Sequence, residues 1–341
     1  MVDVSVIIPN FNSGEGLSRC LGALCNQTIP RRLYEIIVVD DGSLDDSISA
    51  GERFDARVVH QNHAGPAVAR NNGVRHSAGK LLLFTDSDCV PQEDWIEQMV
   101  RPFEDPNVMA VKGVYRTKQR SLVPRFIQAE FEEKYDRMKR VDRIDYVDTY
   151  SAGYRASVFQ DNGGFDPSFR GSSEDVEFAF RLARKGYKMA FASSAVVYHT
   201  HPASMRRYLV RKFGFGVTRA RVYTRFPDRL VRDSYTPKTV HMQILLSGLL
   251  CLSLLLGFFQ PVALIAALVC AVAFTLSAAV FSFGAFGRDR LIGIVSPPLL
   301  FLRCLAQCLG LATGLLGLLV RGEERKILLR RLMKRPTETD R

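Results

Sequence analysis

Asp86 and Asp88 stand two residues apart, just after the apolar run 80–84 (KLLLF). In extended backbone, side chains at i and i+2 leave on the same side, so both carboxylates can approach one cation. Hard divalent ions such as Mg²⁺ or Mn²⁺ are held by one or two carboxylates and completed by substrate phosphates. The competing use is local: Asp88 or Asp94 could cap the helix that carries Trp95 and Met99. A second cluster, Asp40-Asp41-Gly42-Ser43, closes another apolar run and by itself reads as a turn and a helix cap. Together the two clusters gather four carboxylates at one sheet edge. Their repulsion is a cost that a cation, or a diphosphate with its cation, relieves.

A third acidic pair, Glu174-Asp175, follows Gly171-Ser172-Ser173 and opens a helix expected over 176–185. Capping that helix is one use. The other is a general base, a carboxylate that takes a proton from an attacking hydroxyl. His199 and His201 end an apolar strand expected over 190–198. Histidines at a strand end are ordinarily structural, but an H-x-H pair can supply one imidazole to a metal.

The elements that position these groups alternate. Residues 4–8 (VSVII), 35–39 (EIIVV), 57–60 and 80–84 read as buried strands, and 17–25 and 67–77 as helices. Such alternation predicts an α/β domain whose mostly parallel sheet is covered by helices. Ligands of such sheets sit beyond the carboxyl ends of the strands, where the acidic clusters fall. No internal repeat is visible. Gly14 and Gly16 lack the third glycine of a dinucleotide fingerprint and no G-K-[ST] occurs, which removes the main support for oxidoreductase and P-loop readings.

The 341 residues carry a formal net charge of +11 at a mean hydropathy of +0.00, and both figures are averages over unlike parts. Nine Lys/Arg between 205 and 232 oppose only Asp228, and eight between 321 and 341 oppose four acids. These blocks account for +8 and +4, so the rest of the chain is near neutral. Apolar sequence lies between them, the layout of juxtamembrane charge and not of a nucleic-acid-binding face. Residues 240–287 contain no Lys, Arg, Asp or Glu. As helix they would run about 72 Å, twice the ~30 Å of bilayer hydrocarbon. A transmembrane hairpin is therefore expected, 240–259 and 262–283, turning at Gln260-Pro261. Residues 291–320 are apolar except for Arg303 and carry Pro297-Pro298. Because both flanks are basic, this stretch reads either as a re-entrant, broken helix or as a third span. Met1-Val2-Asp3 leads straight into a strand with no basic, apolar leader, so the first 200 or so residues are expected to stay cytosolic. Seven cysteines, an odd number without a C-x-x-C pair, agree with a reducing compartment.

Seven segments in order resemble the inverting family 2 glycosyltransferases: 4–12 (VSVIIPNFN), 38–43 (VVDDGS), 65–73 (GPAVARNNG), 84–91 (FTDSDCVP), 163–166 (GGFD), 172–187 (SSEDVEFAFRLARKGY) and 196–201 (VVYHTH). The resemblance, from about Val4 to Tyr208, implies a GT-A fold and transfer of a sugar from a nucleotide-diphosphate donor, UDP-linked as the first expectation. It implies that Asp41 contacts the base, with Pro9 and Phe11 beside the ring and Arg70 near the nucleotide. Asp86 and Asp88 would be the D-x-D pair, Asp88 on Mn²⁺ or Mg²⁺ and His199 completing the metal shell. Asp175 would be the general base, with Glu174 and Arg207 on the acceptor side or supporting the site. Processive synthases of the family carry Q-x-x-R-W where this chain has Ser204-Met205-Arg206-Arg207-Tyr208, which favours transfer of one or a few sugars.

The expected organisation is a catalytic domain over 1–203, a basic amphipathic interfacial segment over 204–238, a membrane region over 239–320 and a basic cytoplasmic tail over 321–341. Residues 126–138 form a second amphipathic helix on the acceptor side. The chain is expected to sit in the inner membrane with its catalytic domain in the cytoplasm, acting on a lipid-linked or membrane-surface acceptor, with membrane lipids and no nucleic acid as partners. A processive polysaccharide synthase and a non-catalytic sugar-nucleotide-binding protein are the alternatives; a transporter is disfavoured because paired intramembrane charges are lacking.

Overall fold

The structure, a computed structural model, describes residues 2–169, 172–230 and 233–320. The chain divides into two compact units, Met1–Ala203 with Asp233–Thr236, and Ser204–Arg232 with Pro237–Arg341.

The first unit opens β1 (Val4–Asn10), α1 (Gly14–Cys25), β2 (Tyr34–Asp40), α2 (Ser47–Glu52), β3 (Arg57–His60), α3 (Pro66–Arg75) and β4 (Leu81–Phe84). These strands pair in parallel in the order β3-β2-β1-β4, with Ile7 of β1 set between Ile37 of β2 and Phe84 of β4. Their continuous β-branched and Leu runs suit strands buried on both faces. Gly73 lets α3 lie close on this sheet, since a Cβ there would come within 2.4 Å of Ile7 Cγ2.

The chain continues through β5 (Cys89–Pro91), α4 (Trp95–Val100), β6 (Val108–Arg116), α5 (Leu122–Met138), β7 (Ala152–Arg155), α6 (Ala156–Asp161), α7 (Glu174–Arg184) and β8 (Lys188–His199). Beyond β4 the eight-stranded sheet is mixed, ordered β4-β7-β6-β8-β5: β7 is antiparallel to β4 and β6, β6 and β8 are parallel, and β5 is antiparallel to β8. The mostly parallel sheet of the sequence reading thus holds, all parallel in its first half and parallel again between β6 and β8. Phe84, Tyr154, Phe159, Phe165 and Phe178 pack, mostly edge to face, into an aromatic core.

The second unit comprises α8 (Met205–Arg225), α9 (Lys238–Gly257), α10 (Ala263–Phe286) and α11 (Arg290–Val320). The last three are long and apolar enough to cross a membrane. α9 and α10 pack against each other and are joined through Gln260-Pro261. α11 is one 31-residue helix that passes through Pro297 and Pro298, so of the two readings of this stretch the broken helix does not form. Each proline removes one N–H from the helical ladder. Ser296 donates its hydroxyl to the Ile292 carbonyl, and packing against α8, α9 and α10 supports the rest. Arg303, buried on α11, donates to Gln243 Oε1 of α9 at 2.9 Å. The expected tail over 321–341 lies outside the described residues.

Candidate active site

At the carboxyl end of β2, Asp41 is buried and fully engaged by the loop that leads into α3. Its Oδ1 accepts from Gln61 Nε2 (2.7 Å) and the Ala64 N–H (2.8 Å); its Oδ2 accepts from the Gly65 N–H (2.9 Å) and lies 3.0 Å from His63 Nδ1. Gly65 adopts φ +94°, left-handed backbone suited to glycine, and Pro66 then starts α3. Asp41 therefore shapes this loop directly. Pro9 lies within β1, and Phe11, just past it, is 46% exposed with its ring 4.2 Å from that of His63. An exposed aromatic flanked by an imidazole is a surface on which a planar base can stack.

Arg70, on α3 and buried, bridges two of the acidic motifs. Its Nη2 donates to Asp86 Oδ1 (2.7 Å) and its Nη1 to Glu174 Oε1 (2.6 Å). Glu174 is buried in the first turn of α7, and Asp175 beside it is half-buried. Asp175 accepts from its neighbour Val176 N–H (2.7 Å) and from the Thr149 N–H (3.4 Å). Burial first, then the negative charges of Glu174 and Asp148, push its carboxyl up to about 7, against the pull of Arg70. The local role of this acidic pair is in the first turn of α7, where Asp175 accepts the Val176 N–H, and not at the N-cap, where Ser173 stands with φ +73° and makes no side-chain capping bond.

Cys89 of β5 is in register with His199 of β8, which brings Asp88 Oδ2 to 3.2 Å from His199 Nε2. The two histidines part company here. His201 is buried, stacked on Phe131 and 3.2 Å from Gln128 Oε1, and Gln119 holds its backbone at both N–H and C=O. Asp86 faces Arg70, so among the described residues no three of His, Cys, Asp and Glu converge into a ready-made metal cage. Asp88 and His199 offer one oxygen and one nitrogen, and Asp88 is open to solvent. That donor pair fits a divalent ion that takes its remaining ligands from water and a diphosphate.

Sequence reasoning missed Lys112 and Asp148. Lys112 lies in the middle of β6, fully buried, and is ion-paired with buried Asp148. A lysine inside the otherwise apolar run 108–115 (VMAVKGVY) was the available signal, since unpaired charge is not buried. Arg207 lies in the first exposed turn of α8, where its N–H donates to Ser204 Oγ at 3.4 Å, and it belongs to the second unit.

Known proteins resemble this chain in sequence and in fold. The profile described as glycosyl transferase family 2 matches residues 5–163. Glycosyltransferase AglE of Haloferax volcanii is 30% identical over 236 residues, 67% of this chain and 75% of that protein. The chain belongs to glycosyl transferase family 2. A second family relative, the pre-mycofactocin glycosyltransferase of Mycobacterium tuberculosis, is 31% identical over 67% of this chain. This chain spans about half the length of that protein (49%). Two solved structures share the GT-A-like fold. They are the mannosyltransferase PcManGT of Pyrobaculum calidifontis, in complex with GDP-Man and Mn²⁺ (TM-score 0.51, 22% identity, 96% of this chain and 84% of that one), and TarS 1–349 of S. aureus (TM-score 0.51, 19% identity, 93% and 91%). Asp41, Arg70, Asp86 and Asp88 fall inside the family 2 profile; Glu174, Asp175 and His199 follow it.

Proposed function

We propose that this family 2 chain transfers a sugar from a nucleoside-diphosphate donor to an acceptor hydroxyl, with inversion, at a membrane surface. The observation that carries the reading is the bridge from Arg70 to Asp86 and Glu174 beside Asp175. It brings two acidic motifs, about 90 residues apart in sequence, to one catalytic-type constellation. Asp175, with its carboxyl pushed up to about 7, is suited to accept a proton from the acceptor hydroxyl as that oxygen attacks the anomeric carbon. Attack opposite the leaving diphosphate inverts that carbon and needs no covalent enzyme intermediate. Phe11 and His63 supply the stacking face for the base, and Asp41 holds the backbone around it. Mn²⁺ or Mg²⁺, held by Asp88 and His199, would supply charge neutralisation for the departing diphosphate. The GDP-Man and Mn²⁺ complex of PcManGT supports both donor class and cation by analogy.

The membrane part of the proposal rests on three long apolar helices and on α8, where Arg206, Arg207 and Arg211 are exposed beside exposed Val210 and Phe213. Basic and apolar groups on one helix suit the headgroup region. We assign residues 204–232 to that interface, Asp233–Thr236 being part of the first unit, the catalytic domain and the 321–341 tail to the cytoplasmic side of the cell membrane, and a lipid-linked acceptor to the site.

The test is release of nucleoside diphosphate by purified full-length protein with Mn²⁺ or Mg²⁺ and a panel of UDP- and GDP-sugars, with and without membrane lipids. Turnover of at least one donor, lost in Asp175→Asn with donor binding retained, is expected. Turnover retained in that variant overturns the base assignment.

A further inference from the structure

The buried pair Lys112–Asp148 is not used by the reaction above, and burying two charges costs several kcal/mol per ion before their attraction offsets it. Its surroundings show what it holds. Asp148 precedes Thr149, whose N–H points to Asp175 Oδ2 at 3.4 Å. Lys112 Nζ is enclosed by the rings of Tyr135 (5.6 Å), Tyr150 (5.4 Å) and Tyr235 (5.9 Å). The first two belong to the body of the first unit. Tyr235 comes from Asp233–Thr236, a short segment that in sequence joins the two halves of the second unit yet packs with the first.

That segment grips the loop carrying Asp148. Tyr235 stacks on Tyr146 with ring centroids 3.7 Å apart and planes 3° apart. Asp145 Oδ1 accepts from the Ser234 N–H (2.7 Å) and Ser234 Oγ (2.6 Å), and the Asp145 N–H donates to Ser234 Oγ (3.0 Å). Lys134 Nζ lies 4.3 Å over the outer face of Tyr235. The 145–149 loop is thus clamped by Lys112 at Asp148 and by the 233–236 segment at Asp145 and Tyr146, and its far end reaches Asp175. Asp148 Oδ2 is buried within this clamp.

We propose that Tyr235 is a positioning residue for Asp175, acting through the Lys112–Asp148 pair and the 145–149 loop. The inference rests on the reading of Asp175 as the general base. Among the described residues, the charged and titratable groups facing Asp175 are Glu174 on its own helix, Arg70 on α3, Asp148 and Lys112 in the clamp, and Tyr154 on β7. Removing the Tyr235 ring admits water to the Lys112–Asp148 pair. That screens Asp148 and lessens the desolvation of Asp175, and both changes stabilise the carboxylate. A slackened Thr149 N–H acts the other way, but a 3.4 Å contact is the weaker influence.

The experiment reads Asp175 without any sugar donor. Full-length protein in detergent is treated with a water-soluble carbodiimide and glycine ethyl ester, which label the protonated carboxyl, across pH 4–9, and labelling of Asp175 is followed by peptide mass spectrometry. The wild-type midpoint is expected near 7, Tyr235→Ala about one pH unit lower, and Tyr235→Phe unchanged because the ring and not its hydroxyl closes the clamp. Ser234→Ala, which loosens the grip on Asp145 and leaves the aromatic cage filled, shifts the midpoint the same way by less and serves if Tyr235→Ala does not fold. With a donor identified from the panel, Tyr235→Ala lowers kcat about tenfold with donor KM unchanged, and Tyr235→Phe restores it. Wild-type midpoints in both Tyr235→Ala and Ser234→Ala overturn the positioning role while leaving the base assignment intact. An active Asp175→Asn overturns the base assignment instead.

Discussion

Arg70 and Glu174 form a buried ion pair of 2.6 Å across 104 residues of sequence, tying α3 to the first turn of α7. The same guanidinium holds Asp86 at 2.7 Å, and the fork geometry of arginine lets one side chain serve both carboxylates.

Arg70→Met should therefore be costly twice. Glu174 is left as a buried charge without its cation, a loss of about 3–5 kcal/mol, or on the order of 10 °C in thermal midpoint. Asp86 also loses its orientation, so donor turnover should vanish. Arg70→Lys should not restore turnover, because one ammonium cannot make both bonds in this geometry. Differential scanning calorimetry and donor turnover check the two parts, and a fully active Arg70→Lys would refute the bridging role.

Asp175→Asn should stabilise the protein at alkaline pH. The folded state pushes this carboxyl from 3.8 up to about 7, so it holds the proton more tightly than the unfolded chain does. Stability from this group is present below pH 4 and is lost as pH rises through 7. Asparagine carries no such penalty. Thermal midpoints measured without cation or donor should favour the variant by a few degrees at pH 8 and converge with wild type near pH 4. The same midpoint difference at both pH values would mean that the carboxyl is not raised.

Glu174→Gln tests the source of that shift. It removes the largest neighbouring charge acting on Asp175, leaves Arg70 less neutralised, and both changes favour the carboxylate. The acid limb of kcat/KM should move to lower pH than in wild type, where activity falls as pH drops through about 7. An acid limb that stays in place, or moves up, would exclude Glu174 as a cause.

Asp88→Ala and His199→Ala should each raise the Mn²⁺ concentration for half-maximal turnover at least tenfold, with chelator abolishing activity and Mn²⁺ or Mg²⁺ restoring it. His201→Ala should leave the metal response unchanged, since its ring is committed to Phe131 and Gln128. Metal titrations of turnover distinguish the two histidines, and a shift in His201→Ala equal to that in His199→Ala would remove the distinction.

The contrast between the histidines marks what the sequence can and cannot reveal. The strands 4–8, 35–39 and 80–84 were legible because parallel strands buried on both faces must be apolar, and the acidic motifs were legible because they punctuate those runs. H-x-H could not say which imidazole faces Asp88, since that follows from the β5–β8 register set by residues a hundred positions apart. Asp41 stood out as a carboxylate at the end of an apolar run, but its engagement with Ala64 and Gly65 depends on a loop conformation with no signature beyond one glycine. Asp233–Thr236 was folded into the interfacial segment because its neighbours are basic and amphipathic. Tyr235 has its partners, Tyr146 and Lys112, only in three dimensions. Pro297-Pro298 suggested a break on local propensity, which helix packing overrode.

Within the second unit, the contact between α8 and α11 should depend on glycines that leave no room for a side chain. A Cβ on Gly310 would lie 2.2 Å from the Phe213 carbonyl oxygen and 3.0 Å from Gly216 Cα, and one on Gly314 would lie 2.5 Å from the Val217 carbonyl oxygen. Backbones this close leave room only for small residues, so the contact relies on the glycines. Gly310→Ala must push the helices apart, an overpacking cost of about 1–3 kcal/mol, and Gly310→Val should cost more. Gly214, on the same α8, has none of the described residues within 4 Å of an added Cβ. Gly214→Ala should therefore be neutral, or stabilising by up to about 1 kcal/mol through helix propensity. Thermal unfolding in detergent of the three variants beside wild type separates steric closeness from helix propensity, and a Gly310→Ala protein as stable as wild type would show that α8 and α11 do not approach this closely.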